Sequence, residues 1–294
     1  MIPEIKFIQK KKDYIQFETK NIHVSFLNAI RRIALTEIPS LAFDKILFEK
    51  YSCGMNEDML AHRIAMIPIC FSNINLKHPR ECGCLNIGCD KCEIEFDLEV
   101  KNQDNSIQNV HCSDFISSSD SVKILSYSDN NNGILLCQLH PKEEIKLKAK
   151  AILGYGKDHE KWSHVTVCYF KKTTNGFLFH LECNENISAI HVLKKAFKIF
   201  GEKLNSLKKN IQFYRKAGNK YSFPYCDTIM NPILQDVLSN YDVDLCYYKR
   251  GHFLEKKQSD FYIQTNHEAE AILKETINIL LSQLHLLENQ LIDC

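Results

Sequence analysis

Two stretches of this chain carry apolar faces too wide to leave in water. From Ile187 to Leu207, Ile190, Leu193, Phe197, Phe200, Leu204 and Leu207 recur at helical spacing, with lysines opposite. From about Glu268 to Leu291 the stripe is Ile272, Leu273, Ile277, Leu280, Leu281, Leu284, Leu287 and Leu291. Each large apolar side chain contributes about 1.5–3 kcal/mol on burial, so about half a dozen per helix is a large driving force. Pairing the two helices buries both stripes at once. Leu193, Phe197, Phe200 and Leu204 on one side, and Ile277, Leu280, Leu281, Leu284 and Leu287 on the other, are the predicted dimerising residues.

The segments around each long helix follow one plan. Residues 5–20 read as a β-hairpin turning at Lys-Lys-Lys-Asp, with YIQFE alternating apolar and polar. A helix over His23–Thr36 follows, with Val24, Leu27, Ile30 and Ala34 as its stripe and Pro39 ending it. LAFDKILFEK is a predicted strand, and Ala61–Ile67 a short helix carrying His62 and Arg63. Next come a cysteine-dense loop, a strand over Glu93–Val100, a Ser/Asp/Asn-rich stretch from Ser117 to Gly133, and two strands in EEIKLKAKAIL and VTVCYF. Phe177–Glu182 is a strand able to return to the first sheet. Beyond a polar, basic stretch at 208–220 the plan restarts: a strand, a helix over Thr228–Ser239, strands at Val243–Lys249 and Asp260–Thr265, then the last helix. The order strand, helix, strand, strand, long helix thus occurs twice, once split by an insert.

The fold class is α+β. Residues 1–45 with 175–207 form a first unit, 46–174 an inserted, mainly β domain, 208–220 a linker and 221–294 a second unit. Each unit packs helices on an antiparallel sheet.

Composition excludes several classes. A net charge of +1 over 294 residues supplies no bulk attraction for nucleic acid. No apolar run approaches the ~20 residues of a membrane helix, and MIPEIKFIQKKKDY lacks the apolar centre of a signal peptide. The 13 cysteines are odd in number, and nine are scattered singly. They read as reduced thiols of an intracellular protein.

The other four, Cys82, Cys84, Cys89 and Cys92, crowd into ECGCLNIGCDKC. Four thiolates suit one tetrahedral zinc ion. One residue separates the first pair and two the second, so both pairs can chelate, and Gly83 and Gly88 relieve crowding in so tight a wrap. Four protein ligands leave no open position, so such a zinc is structural. An iron–sulfur cluster and an empty, redox-labile site are the alternatives.

Residues 154–163 hold Gly154, Gly156, Lys157, His159, Lys161 and Trp162, the only tryptophan. They do not match a phosphate loop, because Asp158 stands where Ser or Thr is needed and the glycines are too close. The loop reads as a partner-binding segment. Trp162 is either an interface anchor or a core residue. The twelve histidines are dispersed, and His62 has no nucleophile pattern beside it. No Asp-x-Asp-x-Asp triad exists in the chain.

The order Asn28, Ile30, Arg31, Arg32, Glu37, Ile38, Pro39, and then Leu60 to Ile69, resembles the signature of the α-like assembly subunits of DNA-directed RNA polymerases. In the larger α-like subunit this hairpin and helix begin a dimerisation domain that an insert interrupts. The larger subunits of eukaryotic polymerases carry a similar Cys-x-Cys…Cys-x-x-Cys zinc loop after the Ile-Pro segment, with a gap of three residues where this chain has four. Residues 154–163 resemble the family's Gly-Ile-Gly-Lys-Glu-His-Ala-Lys-Trp-Ser loop, which docks on the second-largest subunit and a small zinc subunit. The C-terminal part resembles the smaller α-like subunit: Asp227, Thr228, Ile229, Met230, Asn231; then Tyr247 to Glu255; then Tyr262, Ile263, Gln264, Thr265. Met230, Gly251 and Phe253 depart from that subunit's glycine and two prolines. Asp227 is placed to cap the helix at Thr228.

The resemblance implies a fusion of the two α-like subunits, polymerase II-like and similar to fusions in large DNA viruses. It implies a non-catalytic assembly platform for transcription, with one structural zinc. The largest and second-largest subunits and small zinc-binding subunits are the implied partners, without a membrane and with little direct nucleic-acid contact. Arg31, Arg32, His62, Arg63 and the 154–163 loop are the implied contacts; an arginine fork suits carboxylates and carbonyls. The compartment is host cytoplasm and virion for a viral protein, the nucleus for a cellular one. Two rivals stand beside this reading: a free zinc-containing transcription adaptor on nucleic acid, and a thiol oxidoreductase using Cys89 and Cys92.

Overall fold

The computed structural model describes residues 2–71, 76–84, 87–124, 133–184, 187–214, 220–224, 227–250 and 258–292. The chain opens with β1 (Glu4–Lys10), β2 (Tyr14–Lys20) and α1 (Val24–Thr36). It continues through β3 (Pro39–Tyr51), α2 (Glu57–Ala65), β4 (Ile69–Phe71), β5 (Glu93–Lys101) and β6 (Gln108–His111). Then follow β7 (Ile116–Ser117), β8 (Val122–Ile124), β9 (Leu135–Leu139) and β10 (Glu144–Tyr155). Next are β11 (Val165–Thr173), β12 (Gly176–Cys183), α3 (Ala189–Tyr214) and β13 (Lys220–Pro224). The last are α4 (Asp227–Asn240), β14 (Leu245–Arg250), β15 (Gln258–Gln264) and α5 (Ala269–Ile292). Two compact units emerge: Met1–Ile38 with Val165–Cys294, and Pro39–His164.

The first unit holds two antiparallel sheets, ordered β1-β2-β12-β11 and β13-β15-β14. The hairpin reading of residues 5–20 stands, closed by Lys11 N donating to Tyr14 O (2.7 Å). Alternation in β2 turns Ile15, Phe17 and Thr19 inward. In α1, His23 Nδ1 accepts from Ser25 N, a side-chain cap that fixes the helix start. Its buried face is Phe26, Leu27, Ala29, Ile30, Ile33 and Ala34. Val24, predicted on the stripe, is 40% exposed: it sits in the first turn, off the face that meets the core.

α3 and α5 pack in the same core. Leu193, Phe197, Phe200, Leu204, Ile277, Leu280, Leu284 and Leu287 are all buried. Ile190 and Leu281 are half-buried, at the margin of the contact. The Leu284 side chain seats on Gly201, where a Cβ would lie 3.0 Å from Leu284 Cδ2. The Phe26 ring meets Phe200 edge-on, centroids 5.0 Å apart, so α1 joins the same packing. Polar ties fix the ends. Gln290 near the end of α5 accepts from Ile5 N (2.7 Å) and donates to Pro3 O (3.0 Å). Glu37, capping α1, pairs with Lys203 of α3, and Thr228 of α4 bonds both (3.0 Å from Lys203 and 3.2 Å to Glu37).

In the second unit the main sheet runs β3-β10-β5-β7, with two ribbons, β4-β8 and β6-β9. One face of β10 (Ile145, Leu147, Ala149, Ala151) enters a core with Phe43, Phe96 and Leu98. Its other face carries Lys146, Lys148 and Lys150, paired with Glu99, Glu95 and Glu93 across the ladder to β5 (3.0, 3.1 and 2.6 Å).

Several structural boundaries differ from the predicted ones, each for a physical reason. The compact unit Pro39–His164 is bounded differently from the expected insert, 46–174: β3 pairs with β10 along its whole length, from Pro39↔Tyr155 to Tyr51↔Ile145, and β11 pairs with β12 in the other unit. The expected linker at 208–220 is helical as far as Tyr214, because Ile211 extends the Leu204–Leu207 stripe by one turn and is buried. Residues 215–219, with Gly218, lie outside the described residues, as do 251–255 of the predicted turn and the side chain of Asp227. The short helix over Ala61–Ile67 starts earlier, at Glu57, since Asn56 Oδ1 accepts from Asp58 N (2.8 Å).

Candidate metal centre

The four predicted cysteines converge. Their sulfurs all lie within 4.8 Å of one another, with Cys82–Cys89 at 3.5 Å, Cys84–Cys92 at 3.6 Å and Cys89–Cys92 at 3.7 Å. Backbone turns bring them in. Cys82 N donates to Pro79 O (3.3 Å), Ile87 N to Cys84 O (3.1 Å), and Cys92 N and Glu93 N to Cys89 O (2.9 and 3.0 Å). Gly88 has φ +100°, and a Cβ there would lie 2.2 Å from Glu93 Oε1. Only glycine suits that position. Gly83, expected to do the same, has no neighbour within 4 Å of a Cβ and no positive φ, so the crowding is at Gly88 alone.

Only Cys92 is buried; the other three are half-buried. Burial pushes the Cys92 thiol up to about 12. For Cys82 the backbone hydrogen bond at Cys84 pulls downward, but the Cys89 and Cys84 side chains and burial outweigh it. Four sulfurs this close keep their protons unless a cation compensates their charge. The cluster can hold a metal ion, with all four positions of a tetrahedron supplied by protein.

Glu93, which opens β5, moors the loop. Its carboxylate meets Lys150 of β10 at 2.6 Å and Lys45 of β3 at 3.7 Å. Upstream, the His78 ring stacks on Tyr155 with centroids 5.3 Å apart, and Arg80 reaches Asp158 at 3.6 Å. The cysteine loop therefore lies against residues 154–162, and the two enclose a cleft of about 280 Å³ that Gly154, Cys92 and Trp162 help line. No sequence signal marked Glu93, His78 or Arg80, because none belongs to a spaced motif.

Trp162 is buried within its own unit. The ring is 8% exposed, donates through Nε1 to Ile152 O (3.2 Å) and lies over Gly154, where a Cβ would come within 2.3 Å. Lys161 is held too, by Asp44 Oδ1 (2.7 Å), Phe43 O (2.9 Å) and the Trp162 face (4.2 Å to the centroid). His159 Nδ1 accepts from Lys161 N (3.1 Å), and Lys157 lies over Tyr155 (4.8 Å). Lys157 and His159 face solvent, and Gly156 is half-buried.

The remaining predicted contacts divide. Arg31 turns back to Asn28 Oδ1 through Nε (3.2 Å) and Nη2 (3.0 Å). The Arg32 guanidinium has no acceptor among the described residues. Arg63 donates to the Leu136 and Leu135 carbonyls of β9 (3.0 and 2.7 Å), a role inside its own unit, while His62 is exposed beside it.

Residues 46–167 match the family described as the RNA polymerase Rpb3/RpoA insert domain. DNA-directed RNA polymerase II subunit rpb3 of Dictyostelium discoideum is 33% identical over 174 residues, 58% of this chain and 57% of that protein. Subunit 3 of the Arabidopsis thaliana polymerases II, IV and V is 32% identical over 179 residues, 57% of this chain and 56% of that protein. Subunit Rpo3 of Methanothermobacter thermautotrophicus is 31% identical over 191 residues, 64% of this chain and 68% of that protein. The chain belongs to the RpoA/Rpb3 family of RNA polymerase subunits.

The four cysteines and residues 154–163 all fall inside the family's insert domain. This RpoA/Rpb3 chain spans little more than half the length of its Dictyostelium and Arabidopsis relatives. Among the described residues, no helix is long and apolar enough to cross a membrane.

Proposed function

We propose that this chain is a non-catalytic assembly subunit of a multisubunit DNA-directed RNA polymerase, joining a larger and a smaller α-like unit in one polypeptide. The observation that carries the reading is the shared core of α1, α3, α4 and α5, tied at its margin by Gln290 to β1. In a heterodimer these surfaces would meet between chains. Joined covalently, they meet at an effective concentration of order millimolar or more, with a one-to-one ratio. The two large catalytic subunits are the partners, with small zinc-binding subunits beside them, and catalysis belongs to the large chains. Arg32, His62 and Lys157 are the contacts this reading favours, since their side chains are open or half-open to solvent. The lysines of β10 are paired with carboxylates, and the net charge is +1, which supports a protein partner over nucleic acid.

The four-cysteine loop is a structural zinc site in this proposal. Three of its sulfur separations, 3.5–3.7 Å, compare with the ~3.8 Å edge of a tetrahedron having Zn–S bonds of ~2.3 Å, and all six lie within 4.8 Å. Bound zinc would neutralise the thiolates and hold the loop on residues 154–162, with no chemistry of its own.

Affinity capture of the tagged chain, with mass spectrometry of what accompanies it, tests the assembly role. The largest and second-largest polymerase subunits should appear at stoichiometric level. Capture without any polymerase chain, alongside steeply salt-dependent DNA binding by the isolated protein, would favour the transcription-adaptor alternative. Light scattering tests the fusion: a monomer is expected, and an obligate homodimer formed through α5 would sink it.

A further inference from the structure

A second pair of cysteines shares a cleft in the Pro39–His164 unit, apart from the four-cysteine loop. After β3 the chain turns through Ser52, Cys53 and Gly54, and Tyr51 Oη donates to Met55 O to close that turn. The Cys53 thiol donates to Gln138 O of β9 at 3.6 Å and accepts from Met55 N at 3.5 Å. Cys137 is the residue before Gln138, the strand position whose carbonyl the Cys53 thiol reaches, and it lines the same cleft as Cys53. Arg63 clamps the same strand through Leu135 O and Leu136 O, so its guanidinium stands beside Cys137. Cys53, Met55, Arg63, Cys137 and His140 line one cleft of about 500 Å³.

The two sulfurs are not equivalent. Cys53 is half-buried at the cleft wall, flanked by exposed Ser52 and Gly54. Cys137 is buried behind it. Burial, and then Cys53 itself, push the Cys137 thiol up to about 12 against the pull of Arg63. A reagent entering the cleft meets Cys53 first, with Cys137 behind it as a resolving thiol. A turn with Gly54 at its tip gives the backbone room to adjust to disulfide geometry.

We propose that Cys53 and Cys137 form a modifiable dithiol that a two-electron oxidant of the peroxide class converts to an intrachain disulfide. The Cys53 thiolate attacks one peroxide oxygen, the O–O bond breaks, and the sulfur becomes a sulfenic acid as one water leaves. Cys137 sulfur then attacks Cys53 sulfur, the S–O bond breaks, and the hydroxyl leaves as a second water with the Cys137 proton. Two thiols are oxidised and one peroxide is reduced. The product staples the turn before α2 to β9, the strand that Arg63 already grips.

Trypsin separates the two sites cleanly, since residues 51–63 and 124–142 each contain a single cysteine. The full chain, freed of reductant, is treated with stoichiometric hydrogen peroxide, alkylated, digested and analysed by mass spectrometry. The expected product is peptide 51–63 joined to 124–142, lighter than the sum of the two by two hydrogens, lost on reduction and absent from Cys53→Ser. The same pair should form in native but not in guanidinium-unfolded chain as the dominant linkage. Recovery of Cys53 over-oxidised or alkylated and unlinked to Cys137, or linked equally to other cysteines in the native chain, would overturn the proposal. The readout is made on the wild-type chain, so it holds even if a Cys137 variant fails to fold.

Discussion

The α3–α5 pairing and the cysteine loop are both held in place, by opposite means. Along α3 and α5, buried leucines, isoleucines and phenylalanines follow one another for several turns. In the cysteine loop Cys92 is buried, while Cys82, Cys84 and Cys89 are half-open to water. Apolar burial is non-directional and additive, so the helix pair carries its own driving force. The loop buries too little for that, and four crowded thiols oppose its closure until a cation joins them. A long apolar stripe organises a fold without help, whereas a short polar wrap leans on moorings such as Glu93.

Truncation inside the helix pair should have the largest effect. Phe200→Ala removes a ring buried against Phe26 and is expected to cost about 3–5 kcal/mol in denaturant unfolding. A loss well under 1 kcal/mol would show that the helix pair does not carry its own driving force. Perturbing the four-cysteine loop comes next and should act locally. Chelation, or Cys92→Ser, should expose residues 76–92 to protease and faster amide exchange, while the unfolding of the α3–α5 unit stays put. Metal analysis of the untreated chain should give about one zinc, and less than about half an equivalent would count against the zinc reading.

The Glu37–Lys203–Thr228 cluster sharpens the comparison, because it is polar yet sits on the helix side. Glu37→Gln is expected to cost about 1.5–3 kcal/mol, the range for hydrogen bonds to charged groups. At the small end stands Asp260. Burial alone would raise its carboxyl, but Lys220 at 2.8 Å and the Ser222 hydroxyl outweigh it and hold it below the usual range. A carboxyl lowered in the folded state contributes stability above its unfolded pKa, near ~3.9, and loses it as pH falls through the folded value. Wild-type and Asp260→Asn chains should therefore converge in thermal midpoint as pH drops below about 4. A difference that persists unchanged to pH 2 would remove the ion pair from the account.

Much of the architecture was legible in the residues alone. The stripes Leu193–Phe197–Phe200–Leu204 and Ile277–Leu280–Leu284–Leu287 announce their helices, because periodicity of 3.6 is a local property. The Cys-x-Cys and Cys-x-x-Cys spacings announce a chelating loop for the same reason, since chelation by near neighbours is set by chain geometry. Other features depended on partners far along the chain. Nothing local says that β3 belongs wholly with β10, that Trp162 covers Gly154 instead of projecting outward, or that Arg63 grips β9. A side chain's periodicity is written in its neighbours, but whether an arginine, a tryptophan or a strand end faces solvent is decided by what the fold brings against it. Pairing of distant strands and helices supplies those surfaces, and only the tertiary structure contains them.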